Sequence, residues 1–151
     1  MKLLKSLKRR YKELRIFFLK LNGVKIDGKI KLYGRQTFVG DLENLSIGNG
    51  TSFNEGVHIN CRDKVKIGNN VSVSTYVQMH TGKLIYDSYP RKHESAPIVI
   101  EDNVWIASGV VISAGVTLGK NSIIAANSVV LKDVESNSLY GGAPAKKIKS
   151  L

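Results

Sequence analysis

The chain has 151 residues and a formal net charge of +11, enough length for one substantial core rather than several domains. Its single cysteine, Cys61, excludes an internal disulfide framework and reads as a small core residue in a reducing compartment. The longest apolar run near the start, Ile16 to Leu19, is too short for a membrane span or a secretory signal. A cytoplasmic location is therefore expected.

Most of the charge lies at the start. Residues 1–21 hold eight Lys and Arg against one Glu, a net +7, which leaves +4 for the rest. Within them Leu3, Leu7, Tyr11, Leu14, Phe18 and Leu21 recur at intervals of three and four, so residues 1–22 are expected to form a basic amphipathic helix. Its apolar stripe must rest on something. It could cap the open end of the domain that follows, or make a peripheral contact with the anionic inner face of a membrane. Nucleic acid is not an expected partner, because no recognised module or aromatic stacking motif accompanies the charge.

From residue 23 onward a different period takes over. Ile100, Ile106, Ile112, Leu118, Ile124 and Val130 recur every six residues, and Val104, Val110, Val116, Ser122, Ser128 and Val134 follow them four positions later. An earlier array runs through Ile47, Phe53 and Ile59, then Ile67, Val73 and Met79. A period of six fits neither a helix nor a flat sheet. It is the mark of a solenoid in which three short strands make a triangular coil of about 18 residues and buried residues stack on their equivalents in neighbouring coils. Gly48, Gly68 and Gly119 follow an aliphatic residue in the pattern and read as corners needing unusual backbone angles.

Between Met79 and Ile98 the period disappears. The stretch 80–97, a structureless loop on this reading, holds His80, His93, Asp87 and Glu94. Such interruptions of compact domains are usually functional.

Residues 45–149 resemble the hexapeptide-repeat acyltransferases, in the branch of maltose, galactoside, capsule and O-antigen O-acetyltransferases. The resemblance rests on Pro97 through Ala107 with its Asn103-Val104-Trp105 core, on the hexads after it, and on Val130 to Asp133 together with Gly141-Gly142-Ala143-Pro144-Ala145-Lys146. It implies an all-β left-handed parallel β-helix over 23–151, with a C-terminal tail, assembled as a homotrimer. Acetyl-CoA would be the co-substrate, lying in the groove between subunits, with no metal. The family's catalytic histidine opens the long loop, which carries over onto His80. A neutral imidazole is a suitable base for a sugar hydroxyl attacking a thioester. His93 is the fallback, and Asp87 and Glu94 are candidate partners that would orient the imidazole. Asn54 or Asn60 would fill the family's substrate-side asparagine, and Trp105, outward by alternation, would wall the groove or pack across a subunit seam. Ser108 and Ala126 match small positions along the pantetheine arm, while Lys132, Lys146 and Lys149 match basic positions near the CoA phosphates.

The resemblance thus implies acetyl transfer to a sugar hydroxyl of a glycan or glycan precursor, as part of polysaccharide biosynthesis. N-acetylation of a nucleotide-linked amino sugar and a non-catalytic trimeric scaffold are the alternatives. Zinc-dependent hydration on a similar scaffold is disfavoured, because Ser108 and Ser113 stand where two of its three histidines would be needed. Cys61 lies in no nucleophile motif, so no covalent acyl-enzyme is expected.

Overall fold

The computed structural model describes residues 2–87 and 89–151. It is a left-handed parallel β-helix preceded by one helix, α1 (Lys2–Leu21). Three parallel sheets form the faces of a triangular prism, and two of them have five strands each. The first face contains Leu45–Ile47, Val65–Ile67 and Ile98–Ile100, the second Ser52–Phe53, Ser72–Val73 and Trp105–Ile106, and the third His58–Cys61, Gln78–His80 and Val111–Ile112.

The six-residue period becomes three columns of like on like. Ile47, Ile67, Ile100 and Leu118 are successive partners on the first face. Phe53, Val73, Ile106 and Ile124 do the same on the second, and Ile59, Met79, Ile112 and Val130 on the third. All twelve are buried. No single coil could enclose them, so the hydrophobic gain comes from stacking coils about 4.8 Å apart.

The corners correct one expectation. Gly48, Gly68 and Gly119 do not take left-handed backbone angles; those fall on Gly50 and on Asn70, Asn103, Asn121 and Asn137. What requires glycine at the three corners is room, since a Cβ on Gly48 would stand 2.5 Å from the Gly68 carbonyl carbon and one on Gly119 would stand 2.5 Å from Ser136 N. Asparagine is one of the few side-chain-bearing residues that tolerate the left-handed angle. Here the amides also form a ladder, Asn103 Nδ2 donating to Asn121 Oδ1 at 3.0 Å and Asn121 Nδ2 to Asn137 Oδ1 at 2.8 Å.

Helix α1 covers the first coil, but not with the expected stripe. Ile16 and Leu19 pack against the core, while Leu7, Tyr11, Leu14, Phe18 and Leu21 are all at least half exposed. Leu3 and the basic residues Lys2, Lys5, Lys8 and Arg9 lie outside the side chains described. Polar contacts accompany this docked face. Arg15 donates to Gly34 O at 2.6 Å and to Gln36 Oε1 at 2.8 Å, and the Lys12 ammonium stands 4.8 Å over the Tyr33 ring. These long side chains thus supply donors to the exposed coil, and their stems can lie along it.

The stretch 80–97 is not structureless. Gly82–Ile85 and Lys92–Ser95 pair as an antiparallel ribbon with Gly82 opposite Ser95 and Leu84 opposite His93. Ala96 N donates to Thr81 O at 2.9 Å and closes its base. Most of the ribbon is exposed, so its strands lack the alternation of polar and apolar residues that would mark them in the sequence. The C-terminal tail is likewise ordered, Ser138–Gly142 and Ala145–Ser150 extending the second face as an antiparallel pair.

Candidate active site

His80 ends its strand on the third face and is held from both sides. Met79 before it is buried in the prism. Thr81 after it is also buried, its hydroxyl donating to Asn60 O at 2.8 Å and accepting from Asp63 N at 3.0 Å. The imidazole itself projects outward at the lip of the prism, two residues before the ribbon starts at Gly82. Ser95 Oγ donates to Asp63 Oδ2 at 3.2 Å, tying the far strand of the ribbon to the coil below.

Parallel pairing places two more polar residues against the imidazole. Asn60 is the register partner of His80, and His58 is the partner of Gln78. The His58 and His80 rings lie 5.7 Å apart, and His80 Nε2 stands 3.1 Å from Gln78 Oε1. The donor in this contact follows the imidazole tautomer, and in the neutral ring one nitrogen carries the proton while the other keeps a lone pair. Burial, and secondarily repulsion from His58, lowers the His80 pKa from the ordinary histidine value of 6.5. The imidazole is therefore predominantly neutral at pH 7, the state a general base requires.

Other candidate residues are distributed around the prism. Asp87 is exposed, Glu94 faces Lys83 at 3.8 Å, and His93 is exposed on the second ribbon strand. The recorded side-chain partner of His80 is thus Gln78 rather than either carboxylate. Asn60 lies directly beneath His80. Asn54 sits at the other edge of the third face, after Ser52–Phe53.

That other edge also carries Ser108 and Ala126, both exposed, with Asn127 N donating to Ser108 O at 2.9 Å and Thr75 Oγ1 to Ser108 Oγ at 2.9 Å. Trp105 projects outward from the second face, half exposed, with its Nε1 donating to Ser74 Oγ at 3.3 Å. Lys132, Lys146 and Lys149 are exposed, the last two on the C-terminal ribbon, where Lys147 between them is bonded to Glu135 at 2.6 Å. Ser108 and Ser113, the residue after Ile112 in the coil above His80, are five residues apart, up to about 16 Å of extended chain. One chain therefore sets the small-residue edge and the histidine on opposite sides of the third face.

His58 and Gln78 are the residues that sequence reasoning missed. The signal was present in two spacings. A separation of two along a strand puts Gln78 on the same face as His80, and the 20-residue step from His58 to Gln78 matches the step from Ile59 to Met79.

Residues 97–132 match the family model for the bacterial transferase hexapeptide, six repeats. A hexapeptide-repeat acetyltransferase from Vibrio cholerae, solved with acetyl coenzyme A, is 36% identical with a TM-score of 0.79, over 87% of this chain and 73% of that one. This chain belongs to the hexapeptide-repeat acetyltransferases. Within the family, a maltose O-acetyltransferase from Clostridium difficile superposes with a TM-score of 0.87 at 28% identity, over 99% of this chain and 85% of that one. The galactoside O-acetyltransferase of Escherichia coli is 38% identical over 111 residues, 72% of this chain and 55% of that protein. The chain spans about half the length of the curated relatives it matches. Among the described residues no three His, Cys, Asp or Glu side chains converge as a metal site would need, and no helix is long and apolar enough to cross a membrane.

Proposed function

We propose that this hexapeptide-repeat protein transfers the acetyl group of acetyl-CoA to a sugar hydroxyl of a glycan or glycan precursor, with His80 as general base. The observation that carries the reading is an outward imidazole at a rigid lip, biased to its neutral form, in which one ring nitrogen has a lone pair to accept a proton. The acceptor hydroxyl gives its proton to His80 as its oxygen attacks the thioester carbonyl. The tetrahedral intermediate collapses with cleavage of the carbon–sulfur bond, and the sulfur leaves as a thiol with the proton returned by the imidazolium. No covalent acyl-enzyme is needed. Cys61 is unsuited to one, because burial, and secondarily Asp41, raises its thiol pKa to about 11.

The donor groove fits the edge bearing Ser108 and Ala126, whose small side chains let an extended pantetheine arm lie against the coil. Lys132, Lys146 and Lys149 would supply ammonium groups to the CoA phosphates. Because His80 stands on the opposite edge, a homotrimer would complete each site, the histidine edge of one chain meeting the small-residue edge of its neighbour. Trp105 then faces the seam. The ribbon rooted beside His80, with Asp87, His93 and Glu94 on it, and Asn60 beneath it would shape the acceptor side, with Asn54 on the donor edge.

The deciding experiment incubates purified protein and labelled acetyl-CoA with sugars, nucleotide-linked amino sugars and lipid-linked glycans, reading acetylated product and free thiol. Label on a sugar oxygen, lost in His80→Ala while the mass in solution stays trimeric, is the expected result. Label only on nitrogen would replace the hydroxyl acceptor with an amine. Failure to bind acetyl-CoA at all would leave the chain a scaffold.

A further inference from the structure

Helix α1 docks on the first coil through Arg15, Ile16 and Leu19, which leaves its other side uncovered. Leu7, Tyr11, Leu14, Phe18 and Leu21 are each at least half exposed, and Phe17 beside them is 59% exposed. They extend over about 21 Å at ~1.5 Å per helical residue. Covering the open coil and presenting an apolar stripe are therefore separate jobs done by different faces of one helix.

The stripe is bordered by cations. Tyr11 belongs to it and also lines a cleft of about 360 Å³ whose other walls are Lys12, Arg15, Tyr33, Gly34 and Arg35. Phe18 likewise belongs to the stripe and lines a neighbouring cleft with Arg15 and Gln36. The two bonds of Arg15 to the coil fix its charge at this border. Arg10 and Lys20 are exposed on the same helix. An apolar face rimmed by Lys and Arg, on a helix too polar to cross a bilayer, has the character of an interfacial helix.

We propose that α1 binds the surface of an anionic phospholipid bilayer, with the Leu7-to-Leu21 stripe at the acyl boundary and Lys12 and Arg35 at the lipid phosphates. Charge selects this occupant over a second copy of the chain. Residues 1–21 carry +7 and the whole chain +11, so a like copy on the stripe would meet positive charge with positive charge, whereas anionic lipid neutralises it. The inference is independent of the acetyl-transfer reading.

The test sediments the full-length protein with phosphatidylcholine vesicles, with and without phosphatidylglycerol, over a salt series, and measures its mass in solution alongside. Wild type is expected to favour the anionic vesicles by at least about tenfold and to be released by salt. Leu14→Glu with Phe18→Glu should cut binding by about tenfold or more with unchanged mass and circular dichroism. Lys12→Glu with Arg35→Glu should remove the preference for anionic lipid. The milder pair Leu14→Ser with Phe18→Ser serves where glutamates disturb folding. Equal or absent binding of wild type to the two vesicle types overturns the proposal. So does loss of oligomeric mass in the stripe variants with vesicle binding retained, which would make the stripe an interface between copies.

Discussion

The coils from Ile98 to Val130 and the coil from Val65 to Ser95 are stacked on the same three columns, yet they put their side chains to different use. In the later coils the hexads run without a break, and over His80 the third face shows only the strands Val111–Ile112 and Val129–Val130. In the interrupted coil the strand Gln78–His80 still presses Met79 into the core, but its outward residues form a polar cluster and the chain leaves the prism as a ribbon. Regular stacking supplies rigidity, and the interruption carries the outward polar cluster. The difference is informative because both share one backbone register.

Separating these two contributions by mutation gives the largest expected effect first. His80→Ala should lower kcat by about 10²–10⁴-fold, with melting temperature nearly unchanged, because the imidazole stands outside the core. Ile112→Ala, one column position above Met79, should do the reverse. It removes buried volume and costs about 2–5 kcal/mol in denaturant unfolding, with activity per folded molecule retained. Gly68→Ala forces a Cβ to within 2.5 Å of Asp102 Oδ1 and 2.8 Å of the Glu101 carbonyl carbon, and about 1–3 kcal/mol should be lost. A thermal melt equal to wild type would show that the coils can separate at that corner.

The smallest effect concerns pH. His80 has its pKa lowered by burial and by His58, so activity should persist below pH 6.5 before the base becomes protonated. Replacing His58 by Gln removes the repulsion and should move the acid limb of kcat/KM upward toward 6.5. The same shift carries a stability consequence. Above 6.5 the group is neutral in both the folded and unfolded chains and contributes nothing, while below it the unfolded chain takes up a proton that the folded chain resists, so stability falls as pH falls through that window. An acid limb that does not move in His58→Gln would remove His58 from the site.

Much of the prism was legible because a stacked core repeats its demand at every coil. Ile100, Ile106 and Ile112 must each be aliphatic for the same reason, and that repetition is visible in one sequence. The corner glycines were found for the wrong reason, since close approach of the next coil leaves no local trace to distinguish it from a left-handed angle. The helix was legible as a helix, but the docking face was not. The intervals from Leu7 to Leu21 describe a stripe, and only Gly34 O and Gln36, in the coil that follows, decide that Arg15 turns inward.

The candidate site divides in the same way. His80 could be singled out because it stands where the period stops, and the resemblance to hexapeptide-repeat acetyltransferases added a role. Its neighbours could not be ranked from the chain alone. Asp87 and Glu94 were attractive by charge, yet ribbon pairing sets Glu94 against Lys83, and the coil brings Gln78 and His58 to the imidazole instead.

The sequence by itself determined the period, the inward columns, the basic start and the histidine at the break, because each is a local requirement written into neighbouring residues. Only the tertiary structure decided which face of α1 is covered, that the interruption is a paired ribbon, and which side chains meet His80. The covered face of α1 and the meeting of His58 with His80 depend on contacts between residues about 20 apart in the chain, where register between coils sets the distance. The ribbon depends on pairing across its own turn.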